Sequence, residues 1–335
     1  MKKKNVLIAG TLVLIVSGCS NTEVVSESDP GDPQKLILAT QLDANSPYAV
    51  GFEAFKDAVE EETGGTVTAE IHTNGSLGGN EDALLQSIAT GGVDMAVVSP
   101  GFMTQVLREV DLFSLPYLFT SYDHWERVVD GEIGTEMSNM IEEGTNLQVL
   151  GYWTAGVRNY YGAKPVNEVA DLRNVSIRTQ DSPAIQDSWS ALGAIPTSVA
   201  WDEMYQALQN RVVDASENDF TNIYQSSHHE VTPYLTLTEH DFTTRFFLTS
   251  DIVMERFSED EQAAIYAAAE LATEAAREAD KELAEQSLAR LEEEGAVVNE
   301  IDTTPFIEQT EPIREEAALD LEAEDLFKAI RSLSD

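Results

Sequence analysis

The chain has 335 residues, with 20 Lys and Arg against 60 Asp and Glu, a formal net charge of −40 and a mean hydropathy of −0.22. So large an excess of acidic residues excludes general electrostatic binding to nucleic acid, because such binding needs clustered Lys and Arg. A single Cys excludes an internal disulfide framework, and a single long apolar run excludes a polytopic membrane protein. The length and the 42% hydrophobic share indicate a mostly globular protein of one or two domains.

The N-terminus has the pattern of an export signal. Three lysines precede an apolar run from Val6 to Val16, which is shorter than the ~20 residues of a membrane-spanning helix. The tetrapeptide VSGC, ending at Cys19, resembles a bacterial lipoprotein processing site. We therefore predict a lipoprotein signal peptide over 1–18 and lipidation of Cys19; an ordinary signal peptide followed by a chance Cys is the alternative. Residues 19–34 are polar and acidic, which predicts a flexible tether.

Strand and helix patterns alternate from Leu36 onward. Apolar residues predict strands at 36–40, 67–71 and 93–98, with a helix in each interval. The face of the first helix is given by Tyr48, Phe52, Phe55 and Val59. This βαβαβ order predicts a mostly parallel sheet with helices on its faces.

The same alternation resumes after Gly151. Strands are predicted at 175–178 and 246–253, and helices around 185–192 and 204–208. Two α/β units in about 300 residues favour two lobes with a cleft between them.

A long helix follows the second unit. Ser258 and Glu261 form a capping box, and the helical pattern continues to about Glu294. At 1.5 Å per residue this helix is about 54 Å long, more than the width of one lobe, so we expect it to cross both. Residues 312–334 predict one further acidic amphipathic helix.

The sequence contains none of the common catalytic or metal-binding motifs, such as HExxH, CxxC, GxSxG or a P-loop. The adjacent His228 and His229 make a poor metal pair, because neighbouring side chains on a helix or strand point apart. We predict no cofactor and no metal, and nothing in the sequence points to an enzyme.

Basic residues are scarce and therefore informative. Arg158 lies among aromatic residues, and Arg178 ends a predicted strand. A guanidinium at the end of a strand, facing a cleft, can bind a carboxylate through two parallel hydrogen bonds. The alternative for each arginine is an internal or surface ion pair.

The stretch from Gly151 to Asp251 resembles the solute-binding subunits of tripartite ATP-independent periplasmic (TRAP) transporters, the DctP-type family. The matching segments, in family order, are AGVRNYY at 155–161, DLRNVSIR at 171–178, LGAIPT at 192–197, EMYQALQ at 203–209 and VDASEN at 213–218. Weaker similarity extends the likeness to about 36–294. The resemblance implies an α/β, two-lobed, periplasmic-binding-protein-like fold with a long helix spanning both lobes.

The resemblance also implies the ligand contacts. In this family the arginine that corresponds to Arg178 binds the substrate carboxylate, and the one that corresponds to Arg158 assists. Asn218 corresponds to an asparagine that hydrogen-bonds the ligand, and Trp201 to an aromatic residue that packs on it, although a Trp is as easily a core residue.

The ligand contacts of the first lobe are predicted only from the positions of residues relative to the predicted strands and helices. The residues that we expect to face the cleft are Thr40, Gln41, Asn80 and Ser99. The chain departs from the family pattern at Asn174, Ser176, Arg211 and Ala215. These departures lie around the site rather than at the arginines, and they leave the substrate open.

We expect lobe I to comprise 35–155 plus about 244–283, and lobe II to comprise 156–243 plus about 284–335. The chain would then cross between the lobes near Thr154-Ala155 and Thr243-Thr244, where a hinge would let the lobes close on a ligand.

The function predicted from these features is that of an extracytoplasmic solute-binding protein, not an enzyme. It would capture a small carboxylate ligand, a sugar acid or another polar organic acid, and deliver it to TRAP membrane permease subunits. It would bind no nucleic acid and would touch the membrane only through the lipid on Cys19, in the periplasm of a two-membrane bacterium. The alternatives are a ligand-binding lipoprotein that serves a sensor or another transporter class, and a lipid-anchored enzyme.

Overall fold

The computed structural model describes residues 33–334. The predicted signal peptide, the predicted lipidation site Cys19 and most of the predicted tether lie outside the described residues. No helix in the described range is both long and apolar enough to cross a membrane.

The first half of the described chain builds a sheet covered by helices, which we call lobe I. Its elements are β1 (Gln34–Ala39), α1 (Pro47–Glu62), β2 (Val67–His72), α2 (Glu81–Ala89), β3 (Met95–Val98), α3 (Pro100–Met103), α4 (Tyr122–Val129), α5 (Glu132–Gly144) and β4 (Leu147–Trp153). The predicted strand–helix–strand–helix–strand order over 36–98 is confirmed.

The second half builds another sheet, which we call lobe II. Its elements are β5 (Val157–Gly162), β6 (Ser176–Thr179), α6 (Pro183–Ala191), β7 (Ile195–Ser198), α7 (Met204–Gln209), β8 (Ala215–Asn218), α8 (Phe220–Gln225) and β9 (Tyr234–Phe242). The chain continues through β10 (Arg245–Ser250), α9 (Asp251–Met254), α10 (Glu259–Glu293), β11 (Val297–Glu300), α11 (Thr304–Asp320) and α12 (Glu324–Ser332).

Both sheets are mixed rather than mostly parallel, in contrast to the prediction. The strand order is β2-β1-β3-β10-β4 in lobe I and β11-β9-β5-β8-β6-β7 in lobe II. Strands within the βαβ units pair in parallel, whereas β10 is antiparallel to β3 and β4, and β5 is antiparallel to β8 and β9. The strands β5 and β10, which begin just after the two crossings between the sheets, are the ones that run antiparallel to their neighbours.

The core of lobe I forms where α1 packs against α10. The four predicted face residues of α1 are all buried, and Phe52 and Phe55 pack on Phe247 of β10. From α10, Ile265 and Ala272 join the same core. The small alanine side chains of α10 let the two helix backbones come close together.

The helix α10 reaches both lobes, as predicted. It has 35 residues, and its N-terminus carries the predicted Ser258–Glu261 capping box. Its first half packs in the core of lobe I, and Leu291 packs in a core cluster of lobe II. The buried face of α10 is not wholly apolar, because it includes Asp280 and Ser287.

The chain passes between the sheets at 154–156, after β4, and again at 243–244, before β10. At the first passage Gly156 has a positive φ of 72°, and a Cβ there would lie 2.9 Å from the Cβ of Asp219. The two passages are joined, since Thr243 N donates to Gly156 O over 3.1 Å. These are the segments that the sequence predicts as crossings.

The C-terminal helices connect the two lobes a fourth time, after the two crossings and α10. The single helix predicted for 312–334 is two helices, and Pro312 lies inside the first of them. Phe306 of α11 packs in a lobe II core, whereas Phe327 and Ile330 of α12 pack with Trp125 in a second core cluster of lobe I. The lobe limits remain a prediction, and we propose that α12 belongs with lobe I rather than, as first expected, with lobe II.

Candidate ligand-binding site

A cavity of about 140 Å³ opens between the two sheets, lined by side chains of both lobes. A single water needs roughly 10–15 Å³ on the same scale, so this space suits a small organic molecule. Six of the predicted site residues line it: Gln41, Asn80, Arg158, Arg178, Trp201 and Asn218. Thr40 and Ser99 do not.

The strand pattern of lobe II explains why its predicted residues meet. Arg178 lies near the carboxyl end of β6 and Asn218 ends β8, and these two strands pair in parallel. Arg158 lies at the start of β5, which runs antiparallel to β8, so it reaches the same edge. Ligands of open α/β sheets bind outside the carboxyl ends of the strands, which is where these side chains converge.

Arg178 is a buried cation with no carboxylate partner among residues 33–334. Its side chain is 4% exposed, and its Nε donates to the carbonyl oxygen of Val199 over 2.9 Å. The ring of Trp201 lies 6.0 Å from its Cζ, within the range of a cation–π contact. Burial lowers the pKa of the guanidinium, because desolvation penalises its charge. A ligand carboxylate on its terminal nitrogens would supply the missing counter-charge.

Arg158, in contrast, already has its counter-charge. It donates through Nε and Nη2 to both carboxylate oxygens of Glu217, and through Nη1 to Asn218 Oδ1 over 2.8 Å. Burial alone would raise the pKa of Glu217, but the charge of Arg158 and the hydrogen bond from His240 lower it to about 2. Both members of this buried pair are therefore ionised. Arg158 lines the cavity, but Glu217 already balances its charge.

The predicted Asn218 is oriented by this pair. Its Oδ1 accepts from Arg158 and from the backbone N of Asp219, 3.0 Å away. Its Nδ2 makes no hydrogen bond within residues 33–334 and remains a donor for the cavity. Asparagine at this position therefore presents one defined end of its amide to a ligand.

The lobe I wall is organised by Glu81, a residue that the sequence did not single out. Its Oε2 accepts from the N and the Oγ of Ser99, each over 2.6 Å, and its Oε1 accepts from Gln41 Nε2 over 3.0 Å. Ser99 thus lies behind Glu81 rather than in the cavity. Asn80 caps α2 by accepting from Ala83 N over 2.9 Å.

Thr40 is also turned away from the cavity. Its Oγ1 accepts from the backbone N of Leu42 over 3.1 Å, and the residue is 1% exposed. Gln41, the next residue, lies in a bend that follows β1. Gln41 takes the cavity side, and its Oε1 is buried with no donor among the described residues.

Arg245 is the second lining residue of note that the sequence analysis missed. It begins β10, directly after the crossing at 243–244, and it is 4% exposed. The available signal was its position, because it is a rare basic residue next to a predicted hinge.

The two adjacent histidines have structural partners. His228 Nδ1 lies 2.9 Å from the hydroxyl of Tyr161, and burial together with the charge of Arg178 lowers the pKa of His228 to about 3. His229 Nε2 lies 2.9 Å from Glu294. Among residues 33–334 no group of three or more His, Cys, Asp or Glu side chains is placed to hold a metal.

Residues 38–320 match the model of the DctP family, described as bacterial extracellular solute-binding protein, family 7. The chain belongs to this family. A solute-binding protein of Sulfitobacter sp. strain NAS-14.1 is 27% identical over 95% of this chain and 97% of its own length.

Solved structures agree with this assignment. A TRAP periplasmic solute-binding protein from Sulfitobacter sp. NAS-14.1, with bound β-D-galacturonate, is 28% identical with a TM-score of 0.85, over 89% of this chain and 100% of that one. A TRAP protein from Pseudomonas putida F1, with bound D-glucuronate, is 27% identical with a TM-score of 0.86, over 90% and 98%.

Family membership confirms the predicted DctP-type resemblance and the two-lobed α/β fold. The protein is an extracytoplasmic solute-binding component of transport and not an enzyme. The side chains that line the cavity indicate which kind of ligand it accepts.

Proposed function

We propose that this DctP-family protein captures a sugar acid between its lobes and delivers it to TRAP permease subunits in the membrane. The observation that carries the proposal is the state of Arg178. It is a desolvated cation that lines the cavity and has no ionic partner among the described residues. Buried charges in proteins are normally paired, so an unpaired one in a binding cavity indicates an anionic ligand.

The carboxylate of the acid binds the terminal nitrogens of Arg178 in the planar, two-bond geometry that a guanidinium favours. Asn218 Nδ2 is a further donor beside it. Trp201 packs against the guanidinium and offers an apolar surface to the carbon skeleton of the ligand.

The opposite wall favours a polyhydroxylated ligand over a bare dicarboxylate. Glu81 is a buried acceptor there, and Gln41 Oε1 is a buried acceptor without a donor. Hydroxyl groups can donate to both, whereas a second carboxylate would meet like charge and another acceptor. The uronates bound in the two TRAP structures above are acids of this kind.

Delivery of the acid to the permease depends on where the protein is located in the cell. The family is extracytoplasmic, and the lipid proposed on Cys19 would hold the protein at the membrane that contains the permease. Closure about the crossings at 154–156 and 243–244 would form the surface that the permease recognises.

The test is a binding experiment with matched variants. Calorimetric titration compares D-glucuronate, D-galacturonate, D-gluconate, succinate and neutral D-glucose for the parent, for Arg178→Gln and for Arg173→Gln. Arg173 is an exposed arginine on the same lobe, so its substitution controls for net charge. Loss of a charge-paired contact costs about 2–5 kcal/mol of binding free energy, a loss of thirtyfold or more.

We expect a sugar acid to bind, glucose not to bind, Arg173→Gln to bind like the parent and Arg178→Gln to lose the acid. Arg178→Gln should also melt no lower than the parent, because the substitution removes an unpaired buried charge. Equal affinity of Arg178→Gln for the acid would contradict the proposal.

A further inference from the structure

Arg245 is a second buried cation that lines the cavity, and within residues 33–334 it makes no ion pair. We propose that Arg245 selects acids that carry an oxygen on the carbon next to the carboxylate, either a 2-hydroxyl group or the ring oxygen of a uronate. The inference rests on the proposed function, since it takes the carboxylate to lie on Arg178.

The hydrogen-bonding state of Arg245 leaves it short of acceptors. Its Nη1 donates to the carbonyl oxygen of Thr244 over 2.8 Å. Its Nε is fully buried and has no acceptor, and the guanidinium makes no ion pair, within residues 33–334. Buried donors are almost always satisfied in native proteins, so a guanidinium that lines a binding cavity and is short of acceptors indicates a ligand oxygen at its terminal nitrogens.

Gln180 places Arg245 beside the carboxylate site. With the Gln180 amide oriented so that its oxygen faces the two donors, Oε1 accepts from Arg245 Nη2 and from Arg158 Nη1, each over 3.1 Å. Arg178 lies on β6, and Gln180, two residues later, directly follows the end of this strand. Both residues line the cavity. Residues two apart on an extended strand share a face and are separated by about 6.6 Å. Arg245 therefore reaches across from lobe I to the side chain that neighbours Arg178.

Gln180 thus brings Arg245 to the part of the cavity wall that carries Arg178, so one ligand can reach both arginines. In the proposed pose, the carboxylate lies on Arg178 and its α-carbon points toward Gln180 and Arg245. An oxygen on that carbon accepts from the guanidinium of Arg245, whereas a methylene leaves the donor unsatisfied in a desolvated site.

A second carboxylate fits this place less well than a hydroxyl or ether oxygen. Glu81 lines the same cavity, is 7% exposed, and its negative charge acts on both Arg178 and Arg245. A hydroxyl can also accept from Arg245 while it donates to an acceptor such as Glu81.

The experiment measures a selectivity ratio rather than affinity alone. Titration calorimetry compares two matched pairs: D-gluconate with 2-deoxy-D-gluconate, and D-glucuronate with its carba analogue, in which a methylene replaces the ring oxygen. The pair that contains the tighter-binding acid is measured with the parent, Arg245→Gln, Arg245→Lys and the control Arg173→Gln. Melting temperatures show that each variant is folded.

We expect the parent and Arg173→Gln to prefer the oxygen-bearing acid by about tenfold to a hundredfold, the size of one hydrogen bond to a charged donor. Arg245→Gln should bind both members of the pair within about threefold of each other, and Arg245→Lys should recover part of the preference. Affinity for the deoxy member should change little, because that ligand makes no bond to Arg245.

A preference that persists in folded Arg245→Gln, or its absence in the parent, would overturn the inference while leaving the carboxylate site of Arg178 intact. Tighter binding of succinate than of either sugar acid, lost in Arg245→Gln, would also overturn it, because a second carboxylate would then occupy Arg245. Failure of the proposed function is separate: in that case no acid binds, or Arg178→Gln binds as well as the parent.

Discussion

Asp280 should make the stability of this protein depend on pH, because it is a buried carboxyl group in the middle of α10. It is 1% exposed and lies at the level where the chain crosses between the lobes. Tyr122 donates to its Oδ2 over 3.3 Å, and the buried carboxylate of Asp219 is a near neighbour. We expect Asp280→Asn to remove this pH dependence, because an amide has the shape of the protonated acid and carries no charge.

The size of the effect follows from the pKa. Burial, and then the charge of Asp219, raise the pKa of Asp280 from 3.8 to about 8, although the charge of Arg245 opposes the rise. Between these two values the folded state keeps a proton that the unfolded state releases, so stability falls as the pH rises from about 4 to about 8. Each pH unit in this window removes about 1.4 kcal/mol, or about 3 kcal/mol between pH 5 and pH 7.

Urea unfolding at pH 5, 6, 7 and 8 measures the free energy for the parent, for Asp280→Asn and for the exposed control Glu278→Gln on the same helix. The parent and Asp280→Asn should be similar at pH 5, and the variant should gain on the parent by about 3 kcal/mol at pH 7. Glu278→Gln should follow the parent. A constant difference between Asp280→Asn and the parent across the four pH values would refute the reasoning.

Three further substitutions test other buried or strained residues. Glu217→Gln leaves Arg158 buried without a counter-charge, and urea unfolding should show a loss of about 3–5 kcal/mol; a loss below about 1 kcal/mol would show that the pair contributes little. Arg211 follows α7 with a φ of 55°, so calorimetry should show Arg211→Gly to be more stable by about 1 kcal/mol, or about 2 °C. Asn174→Gly, at a φ of 62°, should gain less, because asparagine tolerates this conformation; equal gains would contradict the argument.

The elements that the sequence predicts best are those with a local cause. The apolar face of α1 and the capping box of α10 depend on residues within a few positions of one another, and both were found where expected. The strand β9 was missed, because its sequence YLTLTEHDF includes Thr, Glu, His and Asp. In the fold these polar groups are satisfied by distant partners: Thr238 accepts from Tyr160 N, and His240 contacts Glu217.

The site shows the same division between local and distant causes. The motif around Arg178 placed it correctly in the cavity, because the end of a strand fixes where a side chain points. That Glu217 neutralises Arg158 could not be predicted, since among so many acids the sequence does not show which one faces an arginine 59 residues away. Gln41 and Thr40 were both expected to face the cleft, but only Gln41 lines it, since the Thr40 hydroxyl accepts from the backbone N of Leu42 in the bend after β1.

An excess of acidic residues is compatible with the binding of an anion, because the repulsion from surface acids and the attraction to Arg178 act over different distances. A ligand carboxylate about 4 Å from Arg178 gains about 4 kcal/mol at an effective dielectric constant near 20. One surface acid 15 Å away costs it about 0.3 kcal/mol in water, but with a net charge of −40 the sum of such terms exceeds that gain. Physiological salt screens charges beyond about 8 Å and reduces the sum several-fold, whereas it leaves the desolvated contact with Arg178 nearly unchanged. Ionic strength is therefore part of how this protein binds an acid, and Arg178, which has no carboxylate partner within residues 33–334, determines where the acid binds.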